Sequence, residues 1–354
     1  MQERGRSMKE MAALCTSCGK CVAPCAFLQR EGTPGAVAER GSVKHNLRKA
    51  FQCSLCGLCD ALCPEELSPA AMFLDMRRQA AASGLFDRRA YKPWLNYEKL
   101  GGGALFRRDH IPQGGTTVFF PGCALPGRSP QAVLDLYKRL QHIEPAAGLV
   151  LDCCGKISHD LGLENSFSAI ISRLGKRLAN RGIKRILTTC PGCSRILRKS
   201  EAEFEVLSLY EVLATNGQPP VAADDAQIVT VHDPCPARFD EMQQQAVRTL
   251  VSQAGFRVEE MAEAGRRTRC CGQGGMVEGC VPGTLAQEGK KIMELAGRHP
   301  VVTSCAACAD SLERHLPTLH VAEIQSSGIS TPVRSISAVG RWLNRLKLKF
   351  ARLK

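Results

Sequence analysis

Cysteine carries the chemistry that this sequence makes available. Two runs, Cys15-x-x-Cys18-x-x-Cys21-x-x-x-Cys25 and Cys53-x-x-Cys56-x-x-Cys59-x-x-x-Cys63-Pro64, share one rhythm. Three thiolates so spaced wrap three irons of a four-iron cube, and the fourth cysteine of each run ligates the other cluster. The spacing therefore assigns Cys15, Cys18, Cys21 and Cys63 to one [4Fe–4S] cubane cluster, and Cys53, Cys56, Cys59 and Cys25 to a second. Ala26 stands where proline is expected after the first run. Zinc sites also use C-x-x-C pairs, but zinc does not need the whole rhythm twice.

A second pattern follows. One lone cysteine, a Cys-Cys-Gly and a Cys-x-x-Cys occur as Cys123, Cys153, Cys154, Cys190 and Cys193, and again as Cys235, Cys270, Cys271, Cys305 and Cys308. The matching landmarks Cys123/Cys235, Cys154/Cys271 and Cys190/Cys305 are offset by 112, 117 and 115 positions. Three landmarks agreeing within a few residues indicate an internal duplication. Adjacent cysteines present two thiolates to one centre from a turn, and Gly155 and Gly272 let the backbone turn sharply there. By spacing alone each repeat fits a metal cluster, with an ordinary cubane and one spare cysteine, zinc, or a metal-free thiol relay left open.

The elements that must position these cysteines change along the chain. Residues 1–95 read as helical, with Ser68-Pro69 starting a helix through Met72, Leu74 and Met76. Residues 96–115, with Gly101-Gly102-Gly103 and Pro112-Gln113-Gly114-Gly115, read as a linker. From residue 116 short apolar runs alternate with helical patterns. Val118-Phe119-Phe120, Leu149-Val150-Leu151 and Ile186-Leu187-Thr188-Thr189 each end at a cysteine, as do Ile228-Val229-Thr230-Val231 and Val301-Val302-Thr303. Leu163, Phe167, Ile170, Ile171, Leu174 and Leu178 follow the helical period. The expected fold is an α+β multidomain chain: a helical domain with two [4Fe–4S] sites (1–95), the linker, two tandem α/β repeats (116–225 and 226–330), and a basic amphipathic tail (331–354).

Taken together, these motifs resemble a known family over residues 10 to 325. The duplicated pattern looks like the two-repeat cysteine-rich (CCG) domain of heterodisulfide reductases, and the longer gap between the N-terminal runs resembles helical ferredoxin domains of respiratory dehydrogenases. The whole chain resembles the fused catalytic subunit of the membrane-linked heterodisulfide reductase. It is also similar to the C subunit of anaerobic glycerol-3-phosphate dehydrogenase and to the glycolate oxidase iron–sulfur subunit. The resemblance implies a non-cubane [4Fe–4S] cluster on the five cysteines of each repeat. His232-Asp233-Pro234-Cys235-Pro236 departs from relatives that carry His after that cysteine.

The remaining candidates carry less. Cys280 is left over from the 18 ligands and reads as a small buried thiol. His232, Lys156 and Lys184 read as structural residues more than proton donors. Gly272-Gln273-Gly274-Gly275 fits either room for a substrate or a turn. No G-x-G-x-x-G follows a strand and no Walker A sequence occurs, so no flavin or nicotinamide site is evident.

Composition sets the outer bounds. The chain has 354 residues, 19 cysteines and a formal net charge of +13. Its first residues, MQERGRSMKEMAAL, hold no apolar stretch of signal-peptide type. No run of 18 apolar residues occurs. The expectation is a reduced, cytoplasmic protein of an anaerobic setting, peripheral at most to the cytoplasmic face of a membrane. Seven Lys/Arg and no acid lie between Thr331 and Lys354. There Trp342, Leu343, Leu346, Phe350 and Leu353 form an apolar stripe, suited to an anionic membrane surface, an acidic partner or a solvated terminal helix. The short basic stretch has no accompanying nucleic-acid motif.

The expected function is an iron–sulfur oxidoreductase that passes electrons from the N-terminal clusters to the repeats for reduction of a disulfide or related two-electron substrate. The alternative is the electron-transfer subunit of a glycolate/lactate or glycerol-3-phosphate dehydrogenase complex that delivers electrons to quinone. Either role needs a redox partner carrying flavin, haem or quinone. Iron and acid-labile sulfide on protein purified without oxygen test the cluster count. Four filled four-iron sites give about 16 irons per chain, and about eight would leave the repeat cysteines needing another explanation.

Overall fold

The computed structural model describes residues 5–199, 203–217, 226–327 and 336–353. Its N-terminal part is helical. The helices Met8–Leu14, Ala26–Glu31, Pro34–Glu39, Lys44–Lys49 and Leu58–Leu62 separate the cysteine loops and precede the longer helix Pro69–Ala82. Side-chain caps close two of the exposed helix starts: Ser7 accepts from the Glu10 N–H, and Thr33 from that of Ala36. Pro69 begins the long helix where a missing N–H costs nothing, although Ser68 makes no side-chain cap. Met11, Leu28, Met72, Phe73 and Met76 form its buried core, which also takes in Leu161 and Met276 from farther along the chain.

Among the described residues, nine strands form two sheets. Strands β1 (Arg108–His110), β2 (Thr117–Phe120), β3 (Gly148–Leu151), β4 (Arg185–Thr188) and β5 (Glu205–Ser208) lie in the order β1-β3-β2-β4-β5. Strands β6 (Ile228–His232), β7 (Arg257–Glu259), β8 (Val301–Thr303) and β9 (Thr318–His320) lie in the order β7-β6-β8-β9. Among the described residues β1 alone runs antiparallel, beside β3. Without β1, the two sheets have the same strand order and direction, so the duplication in the cysteine spacing is also a duplication of topology. All residues of β2 and β3 are buried, as expected for parallel strands covered on both faces. The expected helix after the first Cys-Cys-Gly spans Glu164–Ala179 and buries Phe167, Ile171, Leu174 and Leu178.

The repeats pack reciprocally. Helix Leu209–Thr215 of the first lies on Glu241–Gln253 of the second, and Val321–Ser327 of the second lies on Pro130–Ile143 of the first. One core, including Leu136, Leu140, Leu213, Val247, Leu250 and Ile324, runs through both. At its edge Arg128, almost wholly buried, pairs with Asp310, Glu313 and Glu323 at 2.8, 2.7 and 2.9 Å.

Three expectations are corrected here. Residues 96–115 are not a bare linker: helix Lys92–Gly101 runs into them, and β1 pairs with β3. The tail helix Ala338–Phe350 is folded back against helices Ala124–Arg128 and Pro130–Ile143. Its Arg345 and Leu348 are buried, and Trp342 meets Phe106 and Tyr97 at 4.5 and 5.2 Å. Arg108 donates to the terminal carbonyls of Leu348, Lys349 and Ala351 at 3.2, 2.7 and 2.8 Å, satisfying groups a helix end leaves open. The part of the apolar stripe around Trp342 is thus used internally, while Val339, Leu343 and Phe350 stay exposed. Cys280 is exposed rather than buried, its thiol reaching the Phe51 carbonyl at 3.1 Å. Among the described residues no helix is long and apolar enough to cross a membrane.

Arg77 ties the three parts together. Fully buried, its guanidinium spends all five N–H donors on backbone carbonyls: Ala50, Phe51 and Cys53 of the N-terminal part at 3.0, 3.2 and 2.5 Å, Asp160 of the first repeat at 2.6 Å, and Gly275 of the second at 2.9 Å. Arg77→Met leaves buried acceptors unpaired and is expected to cost at least about 3 kcal/mol of stability. Arg77→Lys restores only part of that, since an ammonium has three donors and no fork. Anaerobic thermal unfolding of the two variants beside wild type measures both; equal midpoints for all three proteins would refute the role.

Candidate functional site

The cysteines fall into four groups, three of which meet at loop ends. Cys15, Cys18, Cys21 and Cys63 line one cavity of the N-terminal part. Gly35 lies against Cys15; a Cβ there would stand 3.2 Å from the Cys15 sulfur. Burial, with the neighbouring Cys15, pushes the Cys21 thiol up to about 12. Cys25, Cys53, Cys56 and Cys59 line a second cavity, and Cys270 of the second repeat lines it with them. Burial and the charge of Cys270 push Cys56 up to about 12. The structure thus gathers the two sets of four that the sequence spacing groups, and adds a contact that spacing could not show.

In the first repeat, Cys123 follows β2, Cys153 and Cys154 follow β3, and Cys190 follows β4, all at the C-terminal ends of parallel strands. The strand order reverses at β2, and the ends of strands at such a point are where open α/β sheets place ligands. Cys190 immediately precedes helix Pro191–Leu197, which carries Cys193. The Cys193 and Cys154 sulfurs are 3.3 Å apart. The Cys193 thiol beside it lowers Cys190 to about 7. Cys153 neighbours Cys123 and lowers its pKa. Gly122 has φ +77°, and a Cβ on it would stand 3.1 Å from the Cys193 sulfur, so only glycine fits this turn. Tyr97 donates to the Cys123 carbonyl at 2.9 Å.

The second repeat repeats the arrangement. Cys235 follows β6, and Cys305 follows β8 and immediately precedes helix Ala306–Leu312, which carries Cys308. Hydrogen bonds from the Cys235 and Cys271 thiols hold Cys270 well below the usual thiol range. Cys271 and Cys308 are neighbours in turn.

Polar contacts join this group to the others. Arg238, buried, donates to the Cys56 carbonyl at 3.0 Å and to that of Thr268 at 2.7 Å. Arg269 donates to the Pro24 carbonyl at 2.6 Å. A Cβ on Gly274 would overlap the Ser54 carbonyl oxygen and lie 3.3 Å from the Cys270 sulfur. The Gly272-Gln273-Gly274-Gly275 segment therefore serves close approach to the N-terminal loop and leaves no room there for a substrate. Helix Pro191–Leu197 packs on the turn Cys235–Ala237, which brings the cysteine ends of the two repeats together.

The singled-out polar residues separate. Lys156 lies at this junction, near enough to Cys235 to feel its charge, and pairs with Asp160. Against the opposing effect of burial, that ammonium holds the Asp160 carboxyl well below the usual range. Lys184 is exposed at the N-terminal end of β4, away from the cysteines. His232 is buried, its Nε2 3.1 Å from the Arg269 carbonyl, and burial lowers its pKa. Sequence reasoning missed Arg77, Arg238 and Tyr97. For Arg77 a signal existed: an arginine inside the apolar stripe of Met72, Phe73, Met76 and Ala80.

All 19 cysteines are free. Among the described residues, no three His, Cys, Asp or Glu side chains converge on the point where a single ion would sit. A zinc site, with four donors about 2.3 Å from one point, is not preformed there. The two sulfur-only sets around the N-terminal cavities, and glycines placed where a Cβ would intrude on the Cys15 and Cys193 sulfurs, fit iron–sulfur clusters.

Comparison with known proteins agrees. Residues 11–67 match the 4Fe-4S dicluster domain, and residues 117–198 and 229–313 each match the cysteine-rich domain. The chain is 28% identical to the B subunit of the CoM/CoB fumarate reductase of Methanothermobacter marburgensis, over 85% of this chain and 68% of that protein. It is 21% identical to the D subunit of the dihydromethanophenazine:CoB--CoM heterodisulfide reductase of Methanosarcina mazei, over 76% and 79%. It is 24% identical to the EtfAB:quinone oxidoreductase of Syntrophomonas wolfei, over 64% of this chain and 36% of that protein. Domain content and cysteine geometry lead to one conclusion: this is an iron–sulfur electron-transfer subunit, a 4Fe-4S dicluster domain followed by two cysteine-rich domains, related to heterodisulfide reductase and fumarate reductase subunits.

Proposed function

We propose that the chain moves electrons between its N-terminal sites and its two repeats, and that the repeats reduce a disulfide or a comparable two-electron substrate. The observation that carries this reading is the cavity lined jointly by Cys25, Cys53, Cys56, Cys59 and Cys270, which joins the dicluster domain to the second repeat without intervening chain. In this reading the functional units are residues 1–95, 116–225 and 226–330. Cys15, Cys18, Cys21 and Cys63 hold one cubane cluster, and Cys25, Cys53, Cys56 and Cys59 the other. Cys123, Cys153, Cys154, Cys190 and Cys193 hold a non-cubane cluster in the first repeat; Cys235, Cys270, Cys271, Cys305 and Cys308 hold one in the second. Such clusters supply one-electron transfer when bound.

The chain's own residues keep these sites close. Arg238 and Arg269 clamp the Cys56 and Pro24 carbonyls to the second repeat. Lys156, paired with Asp160, places a cation where the two repeats meet. Cleaving a disulfide consumes two electrons and two protons and yields two thiols, which suits two neighbouring one-electron sites. Two relatives bear names that include CoM and CoB. The name of a third supports the second reading, a conduit from a flavoprotein dehydrogenase to quinone. Both readings place a partner subunit beside the chain. Peripheral contact with the cytoplasmic face of a membrane would use the exposed Leu343, Lys347 and Phe350.

Stopped-flow reoxidation of the reduced protein tests the route. A disulfide acceptor is expected to reoxidise wild type, while Cys270→Ser and Cys154→Ser keep about eight N-terminal irons and react at least about tenfold more slowly. Wild-type rates in both variants would take the repeats off the route. Reoxidation by a quinone analogue and never by a disulfide would establish the conduit instead.

A further inference from the structure

An open cavity of about 770 Å³ has Cys153 of the first repeat in its lining. Arg88, Arg89, Lys92, Lys99 and Arg173 stand around it, and all five are exposed. None of them forms an ion pair with a carboxylate among the described residues. Four come from helix Lys92–Gly101 and the turn before it; Arg173 faces them from helix Glu164–Ala179. The one acid in the lining, Glu98, is buried and accepts from the Ser158 N–H at 3.1 Å and from the Ser158 hydroxyl. Nearby acids are also engaged: Asp152 pairs with Arg177, and Glu164 with Arg78, each at 2.6 Å. Asp87 accepts from the Arg89 backbone N–H at 2.9 Å, so among the described residues the five side-chain cations are left without an ion pair. Gly102 and Gly103 line the cavity beside Cys153, and a Cβ on Gly102 would come into contact with that of Cys153 at 3.5 Å. A concave space of this size suits a small molecule rather than a protein surface. Cations on two opposing walls suit more than one anionic group.

We propose that this cavity binds a small molecule carrying two or more oxyanion groups (carboxylate, phosphate or sulfonate), with one end of the ligand at Cys153. Its role as the substrate's site rests on the reading of Cys153 as part of a redox centre; the binding itself does not.

Calorimetric titration of the full-length, anaerobically purified protein at low ionic strength tests it, with tricarballylate and pyrophosphate as probes. Saturable binding of at least one probe is expected. It should weaken at least about tenfold in Arg88→Gln/Arg89→Gln and likewise in Arg173→Gln, and change less than about twofold in Arg298→Gln/Arg314→Gln, which removes equal charge from exposed positions elsewhere. Iron content and thermal midpoint equal to wild type exclude misfolding of each variant. Failure of both probes to saturate, or an equal loss in the control, overturns the site. Saturation should also shift the electron paramagnetic resonance of the reduced protein. Binding that leaves that spectrum unmoved overturns the placing of the ligand's end at Cys153 while the pocket stands.

Discussion

A buried arginine that forms no ion pair among the described residues holds this molecule in register. Arg77 lies inside a helix stripe that is otherwise apolar, and its five donors meet carbonyls from three parts of the chain. Those carbonyls belong to loops and helix ends, where no regular ladder satisfies them. A fixed fork can serve them all only when the N-terminal loop at Cys53, the helix end at Asp160 and the turn at Gly275 are simultaneously in place. Gly275 itself has φ +57°, and a Cβ there would lie 2.7 Å from the Cys53 carbonyl oxygen. Cysteine loops drawn from distant segments thereby acquire fixed neighbours.

The sheets do the rest of the positioning. Parallel strands deliver their cysteines at one end, and short helices begin at Cys190 and Cys305; at Cys190 the neighbouring Cys193 thiol and the backbone N–H groups of Gly192 and Cys193 favour thiolate. Reciprocal packing of the last helix of each repeat on the first long helix of the other turns the two cysteine ends toward a common junction. Lys156 sits in that junction, and Arg128 with its three acids locks the repeats from the far side of the Cys123 turn. The N-terminal part then docks asymmetrically: its second cavity adjoins Cys270, whereas the first repeat keeps a separate opening at Cys153.

Much of this was written in local pattern. The C-x-x-C rhythm grouped the two sets of N-terminal cysteines because ligands of one loop are set by spacing of a few residues. Strands β2, β3, β4, β6 and β8 lay within a residue or two of the apolar runs, and the near-constant cysteine offsets announced two sheets of one topology. The helix at Glu164–Ala179 followed from its 3.6-residue period.

What local pattern lacked was any record of distance along the chain. The Arg77–Gly275 and Arg108–Leu348 contacts span 198 and 240 residues. Gly101-Gly102-Gly103 looked like a linker and Gly272-Gln273-Gly274-Gly275 like a turn or room for a substrate; at Gly272, Gly274 and Gly275 the backbone of another segment instead comes too near for a side chain. The tail's apolar stripe looked outward until Tyr97 and Phe106 supplied its cover. By itself the sequence determined the sulfur chemistry, the duplication and the strands that carry it, because each depends on residue type and short spacing. Only the tertiary structure decided which repeat meets the N-terminal sites and where a cationic opening reaches Cys153, because both depend on surfaces that exist only once distant segments have packed.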